Sequence, residues 1–592
     1  MKEEIAKRLA ALRDAMRQAD VAAIIIPQTD PHQSEYLADH WQARRHFSGF
    51  TGSAGSLVAT ADNALLWTDS RYFIQAASQL DGTGIELMKD GLPDTPDIIS
   101  YLTRNISPGA TVGIDGWLFS TDAVAAMNAS LTAKGLKLRT DFDPVDALWP
   151  DRPALPQAPI FVHDIKYAGR SAADKIADIL AKTDADGVFV SALDEIAWTL
   201  NIRSRDVQCN PVATAYLYIS GDGSVLLTDP AKVTPETAAH LQANGVKVAP
   251  YSTVGDFIAS LPSNATVLAE PAKTSHAVAT ALGGRMVKGA SPIAMFKACK
   301  NNAQIRGTRS AMERDGVAMV KALMEIERMM QAGEMLTEMG IAALLTRLRS
   351  EGELYFDDSF DTIAGFREHG AIVHYSATPD TDATLSPDGL LLIDSGAQYL
   401  DGTTDITRTI SLGNPTELQR HDFTLVMKGH IALASMVFPA GTTGHQLDAI
   451  ARQFLWKEGL SYLHGTGHGV GHFLNVHEGP QSVRLNHVPT PLTTGMITSN
   501  EPGLYREGIH GIRCENLVLT IPAMTTDFGK FLQFETLTLC PFDLSLFDLS
   551  LMSDTEIEWV NSYHATVRER LTPMLTPGQA QWLADKTAPL KR

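Results

Sequence analysis

The feature that most constrains this fold is a carboxylate placed directly after an apolar stretch typical of a buried strand. Residues 389–393 read GLLLI, and Asp394 follows. A lone buried carboxylate is costly unless it is paired or bound to a metal. The dipeptide DG at 401–402 is a turn signal, and Thr403–Ile410 then has the composition of a returning strand that carries Asp405. This hairpin brings Asp394 and Asp405 together, either around a cation or in a solvated acidic turn.

A second feature is the glycine-rich segment HGTGHGVG at residues 464–471. Four glycines in eight residues make a helix improbable, so this is not the HExxH helix of zinc proteases despite the spacing of His464 and His468. With His472 and His477, four of the chain's 18 histidines fall in this region. Because glycine lets a ligand approach the backbone closely, we predict a loop that holds imidazoles beside a ligand.

Two further acids end strand-like runs. Residues 495–499 lead to Glu501 after Asn500, and residues 511–514 lead to Glu515. Four carboxylates and at least one imidazole, with no thiolate, suit manganese, cobalt or iron better than a structural zinc ion. That set is excessive for one ion, but two ions that share bridging carboxylates would use all of it.

Composition excludes several classes of protein. The net charge of −19 argues against a nucleic-acid-binding surface. Apolar runs such as residues 21–26 are far shorter than the roughly 18 residues of a membrane span, so we expect no membrane segment. The N-terminal residues predict an amphipathic helix rather than a signal peptide. Four cysteines without a CxxC pair exclude a disulfide scaffold and suggest a cytoplasmic protein.

The chain divides into three predicted parts. Prolines recur every third residue from Pro150 to Pro159, which is typical of a stiff polyproline II spacer. A docking motif for a proline-binding module is the alternative. The spacer interpretation places a domain boundary near residue 155. The segments on either side each contain an apolar run followed about forty residues later by a strand ending in Thr-Asp. We therefore predict related α/β domains over 1–155 and 156–298. A helix beginning near Ala303, capped by Asn301 or Asn302, opens a third domain over 299–592, with 521–592 as an extension.

The ordered acids and histidine resemble a known dimetal site. The succession Asp394, Asp405, His468, Glu501, Glu515 is similar to that of the "pita-bread" peptidases, which include methionine aminopeptidase, prolidase and aminopeptidase P. The strings GAIVHYS, DSGAQYLDGTTDITRT, HGTGHGVG, NVHEGP, TSNEPG and GIRCEN resemble long-form, three-domain Xaa-Pro aminopeptidase, in family M24B. The resemblance implies an α/β (α+β) chain of two creatinase-N-terminal-like domains and a pita-bread catalytic domain.

The resemblance also implies a role for each site residue. Asp405 and Glu515 would bridge two Mn²⁺ ions, with Co²⁺, Zn²⁺ or Fe²⁺ as substitutes. Asp394 would bind one ion, and His468 and Glu501 the other. A hydroxide between the ions would attack the peptide bond, with Glu501 taking part in proton transfer. The remaining assignments are His374 near the substrate, His477 at the developing oxyanion and His464 in the proline pocket. Arg513 stands two residues before Glu515, so on a strand both would share one face, and we expect Arg513 to hold the Glu515 carboxylate.

The implied activity is removal of the first residue from peptides with proline at position 2, by a homodimer. Prolidase, which cleaves X-Pro dipeptides, is the enzymatic alternative. A pita-bread binding module without activity is a more remote one, because such relatives have lost ligands that this chain keeps. Cys514 and His472 depart from the usual pattern, and no role is assigned to either.

Overall fold

The computed structural model describes residues 2–592, which form two compact units. The first unit contains the residues up to Asp164 together with Arg170–Ile293, and the second contains Ile165–Gly169 together with Ala294–Arg592.

The first half of the first unit is a six-stranded mixed sheet with the order β4-β3-β2-β1-β5-β6. Its opening helix buries Ile5, Leu9, Leu12 and Met16, which confirms the predicted amphipathic helix. The elements in chain order are α1 (Lys2–Gln18), β1 (Ala23–Pro27), α2 (Ala43–Ser48), β2 (Ser56–Thr60), β3 (Ala64–Thr68), α3 (Phe73–Leu80), β4 (Glu86–Lys89), α4 (Ile98–Asn105), β5 (Thr111–Gly113), α5 (Thr121–Thr132), β6 (Lys137–Arg139) and α6 (Val145–Leu148).

The second half repeats this sheet, with the order β12-β11-β10-β8-β13-β14 and the same succession of parallel and antiparallel pairs. The runs matched in the sequence lie on equivalent strands, so the two related α/β folds are confirmed. The elements are β7 (Phe161–Val162), α7 (Ile165–Ala168, in the second unit), α8 (Ala172–Ala181), β8 (Gly187–Val190), α9 (Leu193–Leu200), β9 (Ile202–Arg203), β10 (Tyr216–Ser220), β11 (Ser224–Thr228), α10 (Pro235–Ala243), β12 (Val246–Pro250), α11 (Val254–Ser260), β13 (Val267–Ala269), α12 (His276–Leu282) and β14 (Met286–Lys288).

The second unit surrounds its sheets with long helices. Its first long helix begins after a capping box in which Asn301 accepts from the backbone of Gln304, so Asn301 is the cap. The helices are α13 (Pro292–Ala298, which begins in the first unit), α14 (Asn302–Ala332), α15 (Glu338–Ser350), α16 (Glu417–Ala434), α17 (Gly444–Trp456), α18 (Asp554–Leu571) and α19 (Pro577–Lys586).

Four small sheets carry the chemistry-bearing residues, with the orders β15-β18-β19, β16-β17-β20, β21-β28-β27-β24-β22-β23 and β25-β26. The strands are β15 (Tyr355–Asp358), β16 (Ile363–Phe366), β17 (Leu390–Ser395), β18 (Ala397–Tyr399), β19 (Gly402–Thr403), β20 (Ile406–Ser411), β21 (Val437–Pro439), β22 (Gly467–Gly469), β23 (Glu478–Val483), β24 (Ile497–Asn500), β25 (Gly503–Arg506), β26 (His510–Arg513), β27 (Asn516–Thr526) and β28 (Gly529–Thr536).

The returning strand predicted over 403–410 is broken in two. Gly402 and Thr403 pair in one sheet as β19, whereas β20 begins at Ile406 in another sheet. The chain crosses between the sheets where Gly396 meets Thr404, because a Cβ on Gly396 would lie 2.0 Å from the Thr404 carbonyl oxygen. The crossing leaves Asp405 directly before β20, opposite the end of β17.

The C-terminal extension is part of the core of the second unit. Arg408 of β20 is fully buried, and its guanidinium donates to the carbonyl oxygens of Cys540 and Pro541 and to the Tyr563 hydroxyl. Val560, Val567 and Leu571 of α18 are buried in the same cluster as residues of α16. No helix among residues 2–592 is long and apolar enough to cross a membrane.

Gly511 tests how tightly β26 is packed. A Cβ at this position would lie 1.6 Å from the Gly370 carbonyl oxygen. We expect Gly511→Ala to lower the free energy of unfolding by about 1–3 kcal/mol, because overpacking displaces the backbone. Chemical denaturation measures the change. Gly578→Ala in α19 is the control, since nothing lies within 4 Å of its added Cβ. Equal stability of the two variants would contradict this packing.

Candidate metal centre

The fold brings the predicted acids and histidine together from five separate positions. Asp394 lies on β17, and its register partner on β20 is Thr407, two residues beyond Asp405. His468 lies on β22, Glu501 directly follows β24, and Glu515 lies between β26 and β27. Each of these strands ends at or beside its ligand, so the side chains meet where strands of two sheets terminate.

The donor atoms of the predicted metal ligands lie close to one another. Asp405, His468 and Glu515 each offer one donor atom, and these three atoms lie within 4.8 Å of one another. His468 Nε2 is 3.4 Å from Asp405 Oδ2 and 3.4 Å from Glu501 Oε1. Asp405 and Glu515 are buried, with 4% and 1% of their surface exposed.

A hydrogen bond from Nδ1 orients the ring of His468. His468 Nδ1 lies 3.0 Å from the carbonyl oxygen of Gly469, so Nδ1 carries a hydrogen and donates it. Nε2 therefore faces the carboxylates. A backbone carbonyl on the far nitrogen is the usual way in which proteins fix the tautomer of a metal-binding histidine.

The electrostatics of the side chains alone are unfavourable. Burial and the neighbouring carboxylates Asp405 and Glu501 raise the pKa of Glu515 well above its usual value. Burial also raises the pKa of Asp394 to about 6, against the opposing effect of Arg513. Burial lowers the pKa of His468, but its hydrogen bond to Asp405 and the charge of Glu501 outweigh this and raise it to about 9. The group therefore holds extra protons unless another cation offsets the repulsion.

A pair of divalent cations fits this site. Asp394 Oδ1 and Glu515 Oε1 are buried and have no hydrogen-bond partner among the described residues. Buried polar atoms are normally satisfied, so both oxygens call for a ligand. Four carboxylates and one imidazole are the donor set that hard or intermediate divalent ions prefer.

Arg513 holds a different carboxylate from the one predicted. Its Nη2 donates to Asp394 Oδ2 at 2.5 Å, and its Nε donates to the Thr407 hydroxyl at 3.1 Å. The prediction that it holds Glu515 assumed that both residues share one strand face. That assumption was wrong, because β26 ends at Arg513 and β27 begins only at Asn516.

Two hydroxyls that the sequence analysis did not identify support the ligands. Thr407 Oγ1 donates to Glu515 Oε2 at 2.8 Å, while Ser499 Oγ accepts from the backbone N–H of His468 and donates to Glu501 Oε1 at 3.1 Å. The sequence held a signal for Thr407, because Asp405, Thr407 and Thr409 alternate as polar residues just before and along β20.

A buried histidine supports the strands that carry the two glutamates. His430 of α16 contacts the carbonyl oxygens of Asn500 and Cys514 through Nδ1, at 3.1 and 3.2 Å. Burial lowers its pKa to about 3, so it is neutral and donates from Nδ1. Each carbonyl belongs to the residue directly before a predicted ligand, Glu501 or Glu515.

The predicted substrate-binding histidines lie around this centre. The His477 ring centroid is 4.3 Å from that of His468. His464 Nδ1 donates to the Gly465 carbonyl oxygen at 2.7 Å, and its Nε2 lies 2.8 Å from the Tyr505 hydroxyl. That hydroxyl also accepts from Arg513 Nη1 at 2.8 Å, so a chain of hydrogen bonds joins Asp394 to His464.

His374 lies on a segment anchored by a buried carboxylate. Glu338 accepts from the backbone N–H groups of Phe366 and Ala383, from His369 Nδ1 and from the Tyr375 hydroxyl, all within 3.0 Å. The hydrogen bond to Glu338 raises the pKa of His369. Tyr375 also packs on the sheet that carries Asp394.

The two unassigned residues have structural surroundings. Cys514 is fully buried, and burial raises the pKa of its thiol to about 12, so it is not a reactive thiolate. His472 is buried, with Nδ1 3.4 Å from the Thr308 hydroxyl.

Comparison with protein families accounts for nearly the whole chain. Residues 306–521 match metallopeptidase family M24, and residues 530–590 match the C-terminal region of peptidase M24. Residues 8–146 and 151–304 each match the creatinase/prolidase N-terminal domain.

Individual relatives match this chain over most or all of their lengths. A probable Xaa-Pro aminopeptidase P of Laccaria bicolor is 42% identical, with 99% of this chain and 93% of the relative covered. Aminopeptidase P2 of Arabidopsis thaliana is 40% identical, with 99% and 89% covered. The solved X-prolyl aminopeptidase of Caenorhabditis elegans, described as a cytosolic enzyme with a di-nuclear active site, is 35% identical with a TM-score of 0.95, over 99% of this chain and 100% of that one.

Thr407→Val tests the support of Glu515. The substitution keeps the shape but removes the hydroxyl that donates to Glu515, so we expect Mn²⁺ affinity to fall about 10- to 100-fold, as is typical when a partner of a metal ligand is lost. Competition with a chelating dye measures it. Thr498→Val is the control, because that hydroxyl is buried and has no hydrogen-bond partner among the described residues. An equal effect of both changes would contradict the assignment.

Glu515→Gln tests the repulsion at the centre. In metal-free protein we expect a higher melting temperature than in the wild type, because one buried ionisable group is removed. Saturating Mn²⁺, which at 100 times its Kd adds about 2.7 kcal/mol to the free energy of unfolding, should then stabilise the variant less. Glu338→Gln is the control, with a lower melting temperature and an unchanged response to Mn²⁺. A destabilised metal-free Glu515→Gln protein would show that repulsion does not dominate.

Proposed function

The chain belongs to metallopeptidase family M24, in its Xaa-Pro aminopeptidase branch, and we propose that the centre described above releases the first residue from peptides whose second residue is proline. The protein is a metallo-aminopeptidase. The observation that carries the proposal is the convergence of Asp405, His468 and Glu515 on one point, with Asp394 and Glu501 beside them.

Family membership implies two divalent cations, and we propose Mn²⁺. Asp405 and Glu515 would bridge the ions, Asp394 would bind one of them, and His468 and Glu501 the other. Support comes from the unsatisfied oxygens of Asp394 and Glu515 and from the oxygen-rich donor set. Co²⁺, Zn²⁺ or Fe²⁺ could replace Mn²⁺ in the same donors.

The cations supply Lewis acidity and lower the pKa of a bound water. The side chains of this protein accept the proton, hold the metal ligands in place and contact the substrate. Glu501 accepts a proton during attack, and Ser499 orients it through a hydrogen bond at 3.1 Å. Arg513 holds Asp394 in place and opposes the rise in its pKa that burial causes. His477, whose ring packs beside that of His468, donates a hydrogen bond to the developing oxyanion. His374 contacts the substrate from its anchored segment.

Selection of proline would come from the His464 side of the site. The hydrogen bond to Gly465 fixes the hydrogen on His464 Nδ1, and the hydroxyl of Tyr505 donates to Nε2. Both nitrogens of this imidazole thereby have hydrogen-bond partners, so the ring would contact a substrate by shape rather than through a hydrogen bond. Proline has no N–H to satisfy and has a fixed ring, so a pocket of this kind accepts it by shape.

Aminopeptidase P is favoured over prolidase because relatives of that name are similar over the whole chain, including both N-terminal domains. The division at residues 155 and 298 is part of the proposal, supported by two sheets of the same topology. A binding module without activity is disfavoured by the complete ligand set.

We also propose a homodimer in the cytosol. The solved Caenorhabditis elegans enzyme, described as cytosolic, supports the location. The dimer rests on the resemblance, and size-exclusion chromatography with light scattering tests it.

A panel of three peptides tests the proposed activity. After removal of metal and addition of Mn²⁺, we expect rapid release of Arg from Arg-Pro-Pro and none from Arg-Ala-Ala. Mass spectrometry of the products measures the release. Turnover of Ala-Pro alone would indicate a prolidase instead.

Glu501→Gln should lower kcat about 10²- to 10⁴-fold, since it removes the proton acceptor. Undiminished turnover by this variant would contradict the role of Glu501.

A further inference from the structure

A buried charge cluster lies at the base of the loop 470–478 and includes none of the predicted metal ligands. Lys297 Nζ is 2.5 Å from Glu478 Oε2, and Lys300 Nζ is 2.5 Å from Glu478 Oε1. None of the three residues is more than 7% exposed. Lys297 lies in α13 and Lys300 lies two residues after its end, whereas Glu478 directly follows His477.

Lys300 holds both ends of the loop 470–478. Besides its bond to Glu478, its ammonium donates to the carbonyl oxygen of Val470 at 2.6 Å. Its own backbone N–H donates to the Gly495 carbonyl oxygen at 3.0 Å, just before β24. A single ammonium thus sets the separation between the residue that opens the loop and the residue that closes it.

The loop has an unfavourable conformation that needs such support. Phe473 has a φ of 50°, in the left-handed region that residues with a side chain rarely adopt. Local strain of this kind persists only where the surrounding structure over-determines the backbone. Gly471 and Asn475 close the loop with one hydrogen bond of 3.0 Å, and Lys300 fixes its base.

The base of the loop determines where two histidines meet. Gly469 pairs with Glu478 across β22 and β23, and the residues directly before them are His468 and His477. Their ring centroids are 4.3 Å apart. A displacement of the Glu478 backbone would therefore move His477 relative to the ligand His468.

Stability alone is a poor explanation for the cluster. Lys297 and Lys300 both contact the single carboxylate of Glu478 in the interior. Buried ion pairs are weak sources of stability, because the desolvation of the charges offsets most of their attraction. Directional contacts that fix a backbone are the better-supported use of such a group.

We propose that Lys300, through Glu478 and the Val470 carbonyl, is a positioning residue for His477 in the cleavage reaction. The inference rests on the proposed function. It predicts that loss of the ammonium acts on kcat through His477, and leaves the cations and the binding of substrate largely intact.

The test is a double-mutant cycle with Arg-Pro-Pro as substrate. Lys300→Met should lower kcat about 10- to 100-fold, because small misplacements of a catalytic group cost that much. KM and the metal bound per chain should stay within about twofold of the wild type. In a His477→Ala background the same substitution should change kcat by less than about twofold, since the positioned ring is already absent.

Two matched variants separate positioning from loss of stability. Arg349→Met breaks the equally buried pair Arg349–Asp315, whose atoms are 2.8 Å apart. We expect it to lower the melting temperature while kcat is retained. Glu478→Gln keeps the size of the side chain and should reproduce the effect of Lys300→Met in both backgrounds, which provides the test if the lysine variant folds poorly.

Results that contradict the role of Lys300 can be distinguished from results that contradict the proposed function. An inactive wild type would remove the function itself. With an active wild type, equal losses of kcat in the presence and absence of the His477 ring would overturn the inference. So would a loss of kcat that follows loss of metal, or retention of wild-type kcat in Lys300→Met.

Discussion

Electrostatic repulsion among buried carboxylates is the constraint on which this catalytic unit depends. Asp394, Asp405 and Glu515 are buried and Glu501 is partly buried, so their charges are poorly screened, and burial together with the neighbouring carboxylates raises the pKa of Glu515. Arg513 offsets part of the charge at Asp394, and His468 offsets part at Asp405 and Glu501. The remaining imbalance makes the site a receptor for divalent cations, so the binding free energy of the cations compensates for the cost of assembling the acids.

The surrounding fold keeps those acids from moving apart. Each ligand sits at or beside the end of a strand whose neighbours are buried, and the backbone next to it is tied down by another element. His430 of α16 holds the carbonyls before two glutamates, and Arg408 ties the strand after Asp405 to the C-terminal extension. The C-terminal extension is therefore part of what holds the site rigid, although it contributes no ligand.

Much of the site could be predicted from the sequence because its signals are local. A carboxylate after GLLLI, acids after two other apolar runs, and glycines around histidines each depart from the ordinary pattern of a core, and the structure brings the predicted ligands of these segments close together. The crossing at Gly396 and Thr404 could not be predicted, because it depends on which of two sheets accepts each half of a strand. The partner of Arg513 was missed for a similar reason, since alternation of faces fails where a strand ends. The supports from His430, Lys300 and Glu478 come from residues distant in sequence, whose burial only the fold decides.

We propose above that one group of five side chains holds two cations. Anomalous diffraction from crystals grown with Mn²⁺, measured at the manganese absorption edge, tests it most directly. We expect two peaks per chain, both in contact with Asp405 and Glu515, one with Asp394 and the other with His468 and Glu501. A single peak, or two peaks that do not share Asp405 and Glu515, would contradict it.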